Sequence, residues 1–118
     1  MMAENLPGAL MTSEIREQPE VVERFLKTES DRARTLADRW RRKPPRFIFI
    51  AARGTSDHAA LYGKYLFEVR NGIPVGMAAP SIATVYRAAV NVEGALFIGI
   101  SQSGQAADVI AVLEQARR

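Results

Sequence analysis

Two short segments rich in serine, threonine and glycine carry the side chains best suited to holding an anion. Short hydroxyls and amides donate hydrogen bonds to phosphate oxygens, and glycine lets the backbone approach a ligand closely. Each donation to a charged oxygen is worth about 1.5 to 3 kcal/mol, so a few of them hold a phosphorylated ligand at micromolar to millimolar concentration. The two segments are Gly54-Thr55-Ser56 and Ser101-Gln102-Ser103-Gly104.

Each of these segments lies between an apolar run and an amphipathic stretch. Residues 46–52 and 95–100 lack the polar alternation of a half-exposed strand, which predicts strands covered on both faces. A helix is predicted to begin near Ser56 and another near Gly104. Because the carboxyl ends of parallel strands meet at one edge of a sheet, both loops are expected to face one cleft. The sequence therefore predicts a phosphate site there.

Three residues beside the two loops have open interpretations. Arg53 and Gln105 flank them and are candidates for extending the site, Arg53 as a cation, although an outward, solvated arginine is the simpler interpretation. His58 is the only histidine, and its place just inside a helix predicts a role near the helix start rather than as a base. With one histidine and no cysteine, no metal cluster is predicted. No cofactor is predicted either.

The sequence can be compared directly with two nucleotide-binding motifs and one hydrolase motif. No G-x-x-x-x-G-K-[ST] loop is present, and no G-x-G-x-x-G follows either strong strand, which argues against P-loop and dinucleotide folds. Gly99 to Ser103 misses the G-x-S-x-G nucleophile elbow by one residue in the correct strand-turn-helix context. A serine hydrolase with Ser101 as nucleophile therefore stays open as a rival function.

The remaining pattern predicts helices before the sheet and alternating strands and helices within it. Pro19 is expected to bend the first helix or restart it, and Pro44-Pro45 to end the second. Three alternations predict right-handed crossovers and a parallel α/β sheet flanked by helices, with 1–45 as an N-terminal helical segment and 46–118 as the sheet domain. The predicted helices are 12–27, 30–42, 56–71, 81–89 and about 104–117, and the predicted strands are 46–52, 73–80 and 95–100.

Two of these helices have apolar stripes that the sequence assigns to the core. The helix after Ser56 is predicted to pack through Ala59, Tyr62, Leu66 and Val69. The last helix is predicted to pack through Ala107, Ile110, Ala111 and Leu113.

Composition is that of an ordinary soluble globular protein, with 47% hydrophobic and 25% charged residues in 118. The absence of cysteine fits a reducing compartment, and the opening residues lack a signal peptide's apolar run, so a cytoplasmic protein without a membrane segment is expected. Basic residues cluster before the first strand, yet only Trp40 lies among them, so nucleic-acid binding is not expected. The cluster comprises Arg32, Arg34, Arg39, Arg41, Arg42, Lys43 and Arg46.

Four stretches together resemble the sugar isomerase (SIS) domain, in particular the isomerase half of glutamine:fructose-6-phosphate aminotransferase and related phosphosugar isomerases and deaminases. They span nearly the whole chain. The opening resembles M-x-x-E-I-x-E-Q-P, the first loop resembles C-G-T-S, and the second resembles S-Q-S-G-E-T. The stretches are Met11 to Pro19, Arg53 to Ser56, Gly63 to Glu68 with Gly72 to Val75, and Ser101 to Gly104.

This resemblance implies a flavodoxin-like three-layer sandwich, of which the chain covers the front part of a first copy. It implies binding of a hexose or hexosamine 6-phosphate in amino-sugar metabolism, with Ser101, Gln102 and Ser103 on the phosphate and Ser56 on phosphate or a sugar hydroxyl. It also implies a homodimer, and acid and base residues in sequence beyond Arg118. The chain itself is then expected to bind more than it catalyses.

Three positions depart from the pattern of the family, and one alternative function shares its fold. Ala106 stands where relatives carry threonine, which removes a hydroxyl, and Gln105 stands for a glutamate. Arg53 replaces the cysteine of C-G-T-S. Such domains also serve as ligand-sensing halves of sugar-phosphate-responsive regulators, and this is the alternative to the enzyme.

Overall fold

The computed structural model describes residues 7–118, and the chain forms two compact units, Met1–Pro44 and Pro45–Arg118. The first unit contains helix α1, and the second contains three strands and three helices. Glu4 and the rest of the opening stretch used to judge a signal peptide lie outside the described residues. In chain order the elements are α1 (Ala9–Arg42), β1 (Phe47–Ala51), α2 (Ser56–Asn71), β2 (Val75–Met77), α3 (Pro80–Thr84), β3 (Ala95–Gly99) and α4 (Ala107–Ala116).

The prediction of two N-terminal helices is wrong, because α1 is one continuous helix of 34 residues. Where the second helix was predicted to begin, the hydroxyl of Thr28 donates to the carbonyl of Arg24 and the hydroxyl of Ser30 donates to the carbonyl of Leu26, each one turn back. These side chains thus bond within the helix instead of capping a new one. Pro19 lies inside α1, where it removes a single backbone donor without ending the helix. Within residues 7–118, no helix is long and apolar enough to cross a membrane.

The second unit has a three-stranded parallel sheet in the order β2-β1-β3, which confirms the predicted α/β fold. In the central strand β1, Ile48 pairs with Val75 of β2 and with Leu96 of β3. Aliphatic and aromatic residues dominate β1 and β3, as expected for strands covered on both faces.

Two small cores cover the two faces of the sheet. On one face Ile48, Ile50 and Val75 pack with Ala60 of α2. On the other face Ala51 packs with two residues of α4, Val109 and Val112. Helices therefore flank the sheet on both sides, and β1 contributes to both cores.

The buried face of α2 is not the predicted one. Tyr62 is 67% exposed and Val69 is 77% exposed, whereas Ala60 is fully buried and Gly63 lies against Ile50. Small residues let α2 approach the sheet closely, and of its large side chains Phe67 packs against this core whereas Tyr62 and Val69 do not. The predicted stripe of α2 is therefore wrong.

The bounds of the last two helices and most of the predicted face of α4 also differ from the prediction. Helix α4 begins at Ala107, three residues later than predicted, and it buries Val109 and Val112, while Ile110 is 40% exposed; of the predicted stripe, Leu113 packs against this core. Helix α3 ends at Thr84 and not at the predicted residue 89. Arg87, with a φ of 50°, has a left-handed backbone conformation that a right-handed helix cannot contain. Aliphatic residues occur on more than one face of α4, so periodicity alone could not select the buried one.

A carboxylate joins the end of α2 to the edge strand β2. Oε1 of Glu68 accepts hydrogen bonds from the backbone N–H of Val75, at 3.1 Å, and from Nζ of Lys64. The Lys64 ammonium also donates to the Val75 carbonyl at 2.8 Å. The Lys64 hydrogen bond, helped by that from Val75, lowers the pKa of Glu68 below its ordinary value. Glu68 thus links the end of α2 to β2.

We expect the Glu68→Gln variant to show a weaker dependence of stability on pH than the wild type. Because the pKa of Glu68 is lower in the folded state, its charged form stabilises the fold above the unfolded pKa, and this contribution is lost as the pH falls through the folded pKa. Urea unfolding followed by circular dichroism, at about pH 7 and about pH 3.5, measures the difference. Glu114→Gln on the exposed side of α4 is the control, and identical pH profiles for Glu68→Gln and wild type would contradict this role.

Candidate functional site

The two polar loops lie side by side at one edge of the sheet and line a common cleft of about 230 Å³. The first loop connects β1 to α2, and the second connects β3 to α4. Six of the predicted candidate residues line this cleft together with Ala106 and Val109. Those six are Arg53, Thr55, Ser56, Ser101, Gln102 and Ser103.

The sheet register explains why these loops meet. Strands β1 and β3 are adjacent and parallel, and Ala51 at the end of β1 is paired with Gly99 at the end of β3. The N–H of Ile100 then donates to the Ala51 carbonyl at 2.9 Å, which extends the pairing by one step. Both chains therefore leave the sheet next to each other, although the loops are far apart in sequence.

Internal hydrogen bonds hold the second loop in a tight turn. The hydroxyl of Ser101 accepts from the N–H of Gly104 at 3.1 Å, and the hydroxyl of Ser103 accepts from the N–H of Gln105 at 3.1 Å. A serine hydroxyl that accepts in this way still has its own proton to donate. Each of the two hydroxyls is thus held in place with its donor available to a ligand in the cleft.

Glycine permits the turn in both loops. Gly54 has a φ of 62° and Gly104 has a φ of 68°, in the left-handed region that other residues rarely adopt. Neither glycine lines the cleft, and neither does Gln105, which is exposed. These three predicted residues therefore shape the loops or border the cleft without forming its wall.

Both helices that follow the loops begin without a side-chain cap. Thr55 precedes α2 and Ala106 precedes α4, and neither side chain bonds to the first turn. At α2, backbone carbonyls of Gly54 and Thr55 accept from the N–H groups of Asp57 and His58. The positive ends of two helix dipoles thus lie next to residues of the cleft, an arrangement that favours an anion.

One ion pair links the two loop regions. Nη1 of Arg53 donates to a carboxylate oxygen of Asp108 in the first turn of α4. The Asp108 side chain is 17% exposed and that of Arg53 is 73% exposed. The hydrogen bond from Arg53 has the largest effect and lowers the pKa of Asp108; burial opposes it, and the N–H of Val109 adds a smaller lowering effect. Asp108 is therefore a carboxylate at neutral pH and a weak proton acceptor.

Sequence reasoning missed this pair. Arg53 is largely exposed, as the simpler interpretation expected, but Asp108 was not among the predicted site residues. The two residues are 55 positions apart, and only the start of a helix at residue 107 marks an acidic residue there as special.

His58 lies in the exposed first turn of α2 and is not part of the cleft wall. Residues 7–118 contain no group of three acidic, histidine or cysteine side chains that could hold a metal ion.

Replacing Ala106 by serine is expected to stabilise the protein by about 0.5 to 2 kcal/mol. Ala106 is the N-cap of α4, in extended conformation and without a side-chain hydrogen bond. A hydroxyl there adds an acceptor for a further N–H group of the first turn, where the Asp108 carboxylate already accepts from the N–H of Val109. Urea unfolding of Ala106→Ser and of the control Ala107→Ser, one residue inside the helix, measures the effect. Equal or lower stability of Ala106→Ser than of wild type would contradict the prediction.

Comparison with known proteins places this architecture in one family. Residues 43–118 match the family described as SIS domain. A glutamine–fructose-6-phosphate aminotransferase (isomerizing) of Staphylococcus epidermidis is 38% identical over 92% of this chain, and that of Pseudomonas aeruginosa is 34% identical over 91%. This chain spans 18% of the length of each of these relatives.

A solved structure shows the same fold. It is that of a Silicibacter pomeroyi protein described provisionally as a phosphosugar isomerase, with a TM-score of 0.85 and 38% identity. The similarity covers 92% of this chain and 33% of the other. Because the family match covers more than half of the chain and the fold agrees, this chain belongs to the SIS domain family.

Proposed function

We propose that the cleft between the two loops binds the phosphate group of a hexose or hexosamine 6-phosphate. The observation that carries this proposal is the convergence of Ser56, Ser101 and Ser103 on one cleft. The relatives named above include enzymes whose names refer to fructose 6-phosphate, which is why we propose this class of ligand.

In this proposal the hydroxyls of Ser101 and Ser103 and the amide of Gln102 donate to the phosphate oxygens. Ser56 and Thr55 contribute donors from the facing loop, and Gly54 and Gly104 maintain the two turns. Each donation to a charged oxygen contributes about 1.5 to 3 kcal/mol, which is enough in combination for micromolar to millimolar affinity. Gln105 borders the second loop and contributes through its backbone N–H, which supports Ser103.

The Arg53–Asp108 pair adjusts the charge of this site. A phosphate would compete with the Asp108 carboxylate for the Arg53 guanidinium, since both are anions that accept from the same donor. The pair carries no net charge, so Arg53 contributes less to anion binding than an unpaired arginine would. We propose that hydrogen bonds from the loops, rather than this cation, provide most of the affinity.

We further propose that the full protein is an enzyme that interconverts aldose and ketose phosphates, with transfer or release of an amino group, in amino-sugar metabolism. The part played by residues 46–118 is then binding, as the front part of a SIS domain that follows the helical segment 1–45. Asp108 lies in sequence between Ala106 and Val109 of the cleft wall, and its lowered pKa makes it a poor base. We propose that residues 46–118 do not supply the catalytic acid and base groups.

A titration of the isotope-labelled chain followed by nuclear magnetic resonance tests the proposed site. Fructose 6-phosphate is expected to shift the amide signals of residues 53–56 and 101–105, with millimolar or tighter affinity. Unphosphorylated fructose is the matched control, and it is expected to bind at least about tenfold more weakly. Equal affinity for both sugars, or shifts confined to other parts of the chain, would refute a phosphate site in this cleft.

A further inference from the structure

Arg53 carries the only charge among the described residues that line the cleft. It follows the end of β1 by two positions, and its side chain is 73% exposed. Within residues 7–118, the hydrogen bond of its guanidinium is the one from Nη1 to Oδ2 of Asp108. A guanidinium has several N–H donors in a planar fork, so most of those of Arg53 are not used by the described residues. Arg53 is therefore a cation at the cleft with one tether.

Asp108 is held more firmly than the arginine that it binds. Its side chain is 17% exposed, and its Oδ1 accepts from the backbone N–H of Val109 at 2.9 Å while Oδ2 accepts from Arg53. Asp108 does not line the cleft, although its neighbours in sequence on α4 include Ala106 and Val109, which do. The first turn of α4 thus fixes the carboxylate beside the cleft, and the exposed arginine is the partner that is free to move.

A phosphate in the cleft would be a second anion for the same guanidinium. Phosphate oxygens accept from the planar fork of an arginine in pairs, as carboxylate oxygens do. Asp108 is part of the same chain, so it competes at an effective concentration on the order of millimolar or higher. A ligand must displace this carboxylate or share the guanidinium with it, and either event lowers the net affinity. In the empty cleft Arg53 is therefore withheld from a ligand.

We propose that Asp108 limits the affinity of the cleft for phosphate by holding Arg53, and that a bound phosphate takes over part of this guanidinium. This inference rests on the proposed function, because it requires a phosphate in the cleft. The pair is exposed on its arginine side, and exposed ion pairs are weak, so the exchange of partners is reversible. Asp108 thus acts as an internal competitor that favours release of the ligand.

Neutralising Asp108 tests this role directly. Asp108→Asn keeps the size of the side chain and an oxygen that can accept from the N–H of Val109, and it is expected to bind fructose 6-phosphate about tenfold more tightly than the wild type in the nuclear magnetic resonance titration. Asp57→Asn is the matched control, because it removes the same charge from the exposed first turn of α2 without an ion pair to Arg53. It is expected to change the affinity by less than about threefold.

A double-mutant cycle separates competition for Arg53 from simple repulsion between Asp108 and the ligand. Arg53→Gln is expected to weaken binding at least about threefold more in the Asp108→Asn background than in the wild type. Competition requires this difference, because Arg53 is fully available to the ligand only when Asp108 no longer holds it. Repulsion through space would make the effect of Arg53→Gln equal in both backgrounds, and equal effects would overturn the inference.

Unphosphorylated fructose separates failure of this inference from failure of the proposed function. Equal affinity of the wild type for fructose and fructose 6-phosphate would overturn both. A wild type that prefers the phosphorylated sugar, together with an Asp108→Asn variant that binds it no more tightly, would overturn the inference alone. The carboxyl carbon signal of Asp108 in the labelled wild type is a readout that needs no variant. It is expected to move as fructose 6-phosphate saturates the cleft, and a signal that stays in place would overturn the exchange of partners.

Discussion

Replacing Ser101 and Ser103 together by alanine is expected to weaken fructose 6-phosphate binding by about a hundredfold, and each replacement alone by about tenfold. Both hydroxyls line the cleft, and each is held by a backbone N–H that leaves its own proton free to donate. The two side chains belong to one turn, so the double variant is expected to agree with the product of the single effects only to within a factor of a few. The nuclear magnetic resonance titration described above gives the affinities.

Controls separate loss of donors from loss of loop structure. Ser103→Thr keeps the hydroxyl and is expected to retain most of the affinity, while Ser81→Ala removes an exposed hydroxyl of α3 that lies outside the cleft. Unfolding in urea shows whether the alanine variants keep the stability of the wild type. Wild-type affinity in both single alanine variants would remove the basis of the proposed phosphate site.

Ile50→Ala is expected to reduce the free energy of unfolding by about 2 to 5 kcal/mol. Ile50 is 1% exposed in the central strand and packs in the core that contains Ile48, Val75 and Ala60. The substitution removes three carbon atoms from a site that the surrounding backbone cannot close, because β1 is paired on both sides. Since small domains have total stabilities of about 5 to 15 kcal/mol, the loss would be a large fraction of the whole.

Urea unfolding followed by circular dichroism measures this loss, and Val69→Ala is the matched control. The sequence assigned Val69 to the packed face of α2, but the structure shows it 77% exposed. Its replacement is therefore expected to change stability by no more than about 0.5 kcal/mol. A cost at Val69 equal to that at Ile50 would mean that the packed face of α2 is the one the sequence predicted.

Much of the sheet and the choice of loops could be predicted from local sequence. The apolar runs at residues 46–52 and 95–100 contain β1 and β3, and the polar segments after them form the two loops of the cleft. Such signals are local: a run of β-branched and aromatic residues, followed by glycine and serine, permits few backbone conformations. Parallel pairing then followed from the alternation of strands and helices.

The sequence by itself thus determined the α/β architecture of this chain and which residues meet at the edge of the sheet. Only the tertiary structure decided that α2 packs through Ala60 and Gly63, that α4 packs through Val109 and Val112, and that Arg53 pairs with Asp108. The physical reason is that strand and loop propensities depend on neighbouring residues, whereas a packed helix face or a distant ion pair depends on which surfaces the whole fold brings together. Aliphatic residues occur on several faces of these helices, and their pattern could not reveal which face the sheet would cover.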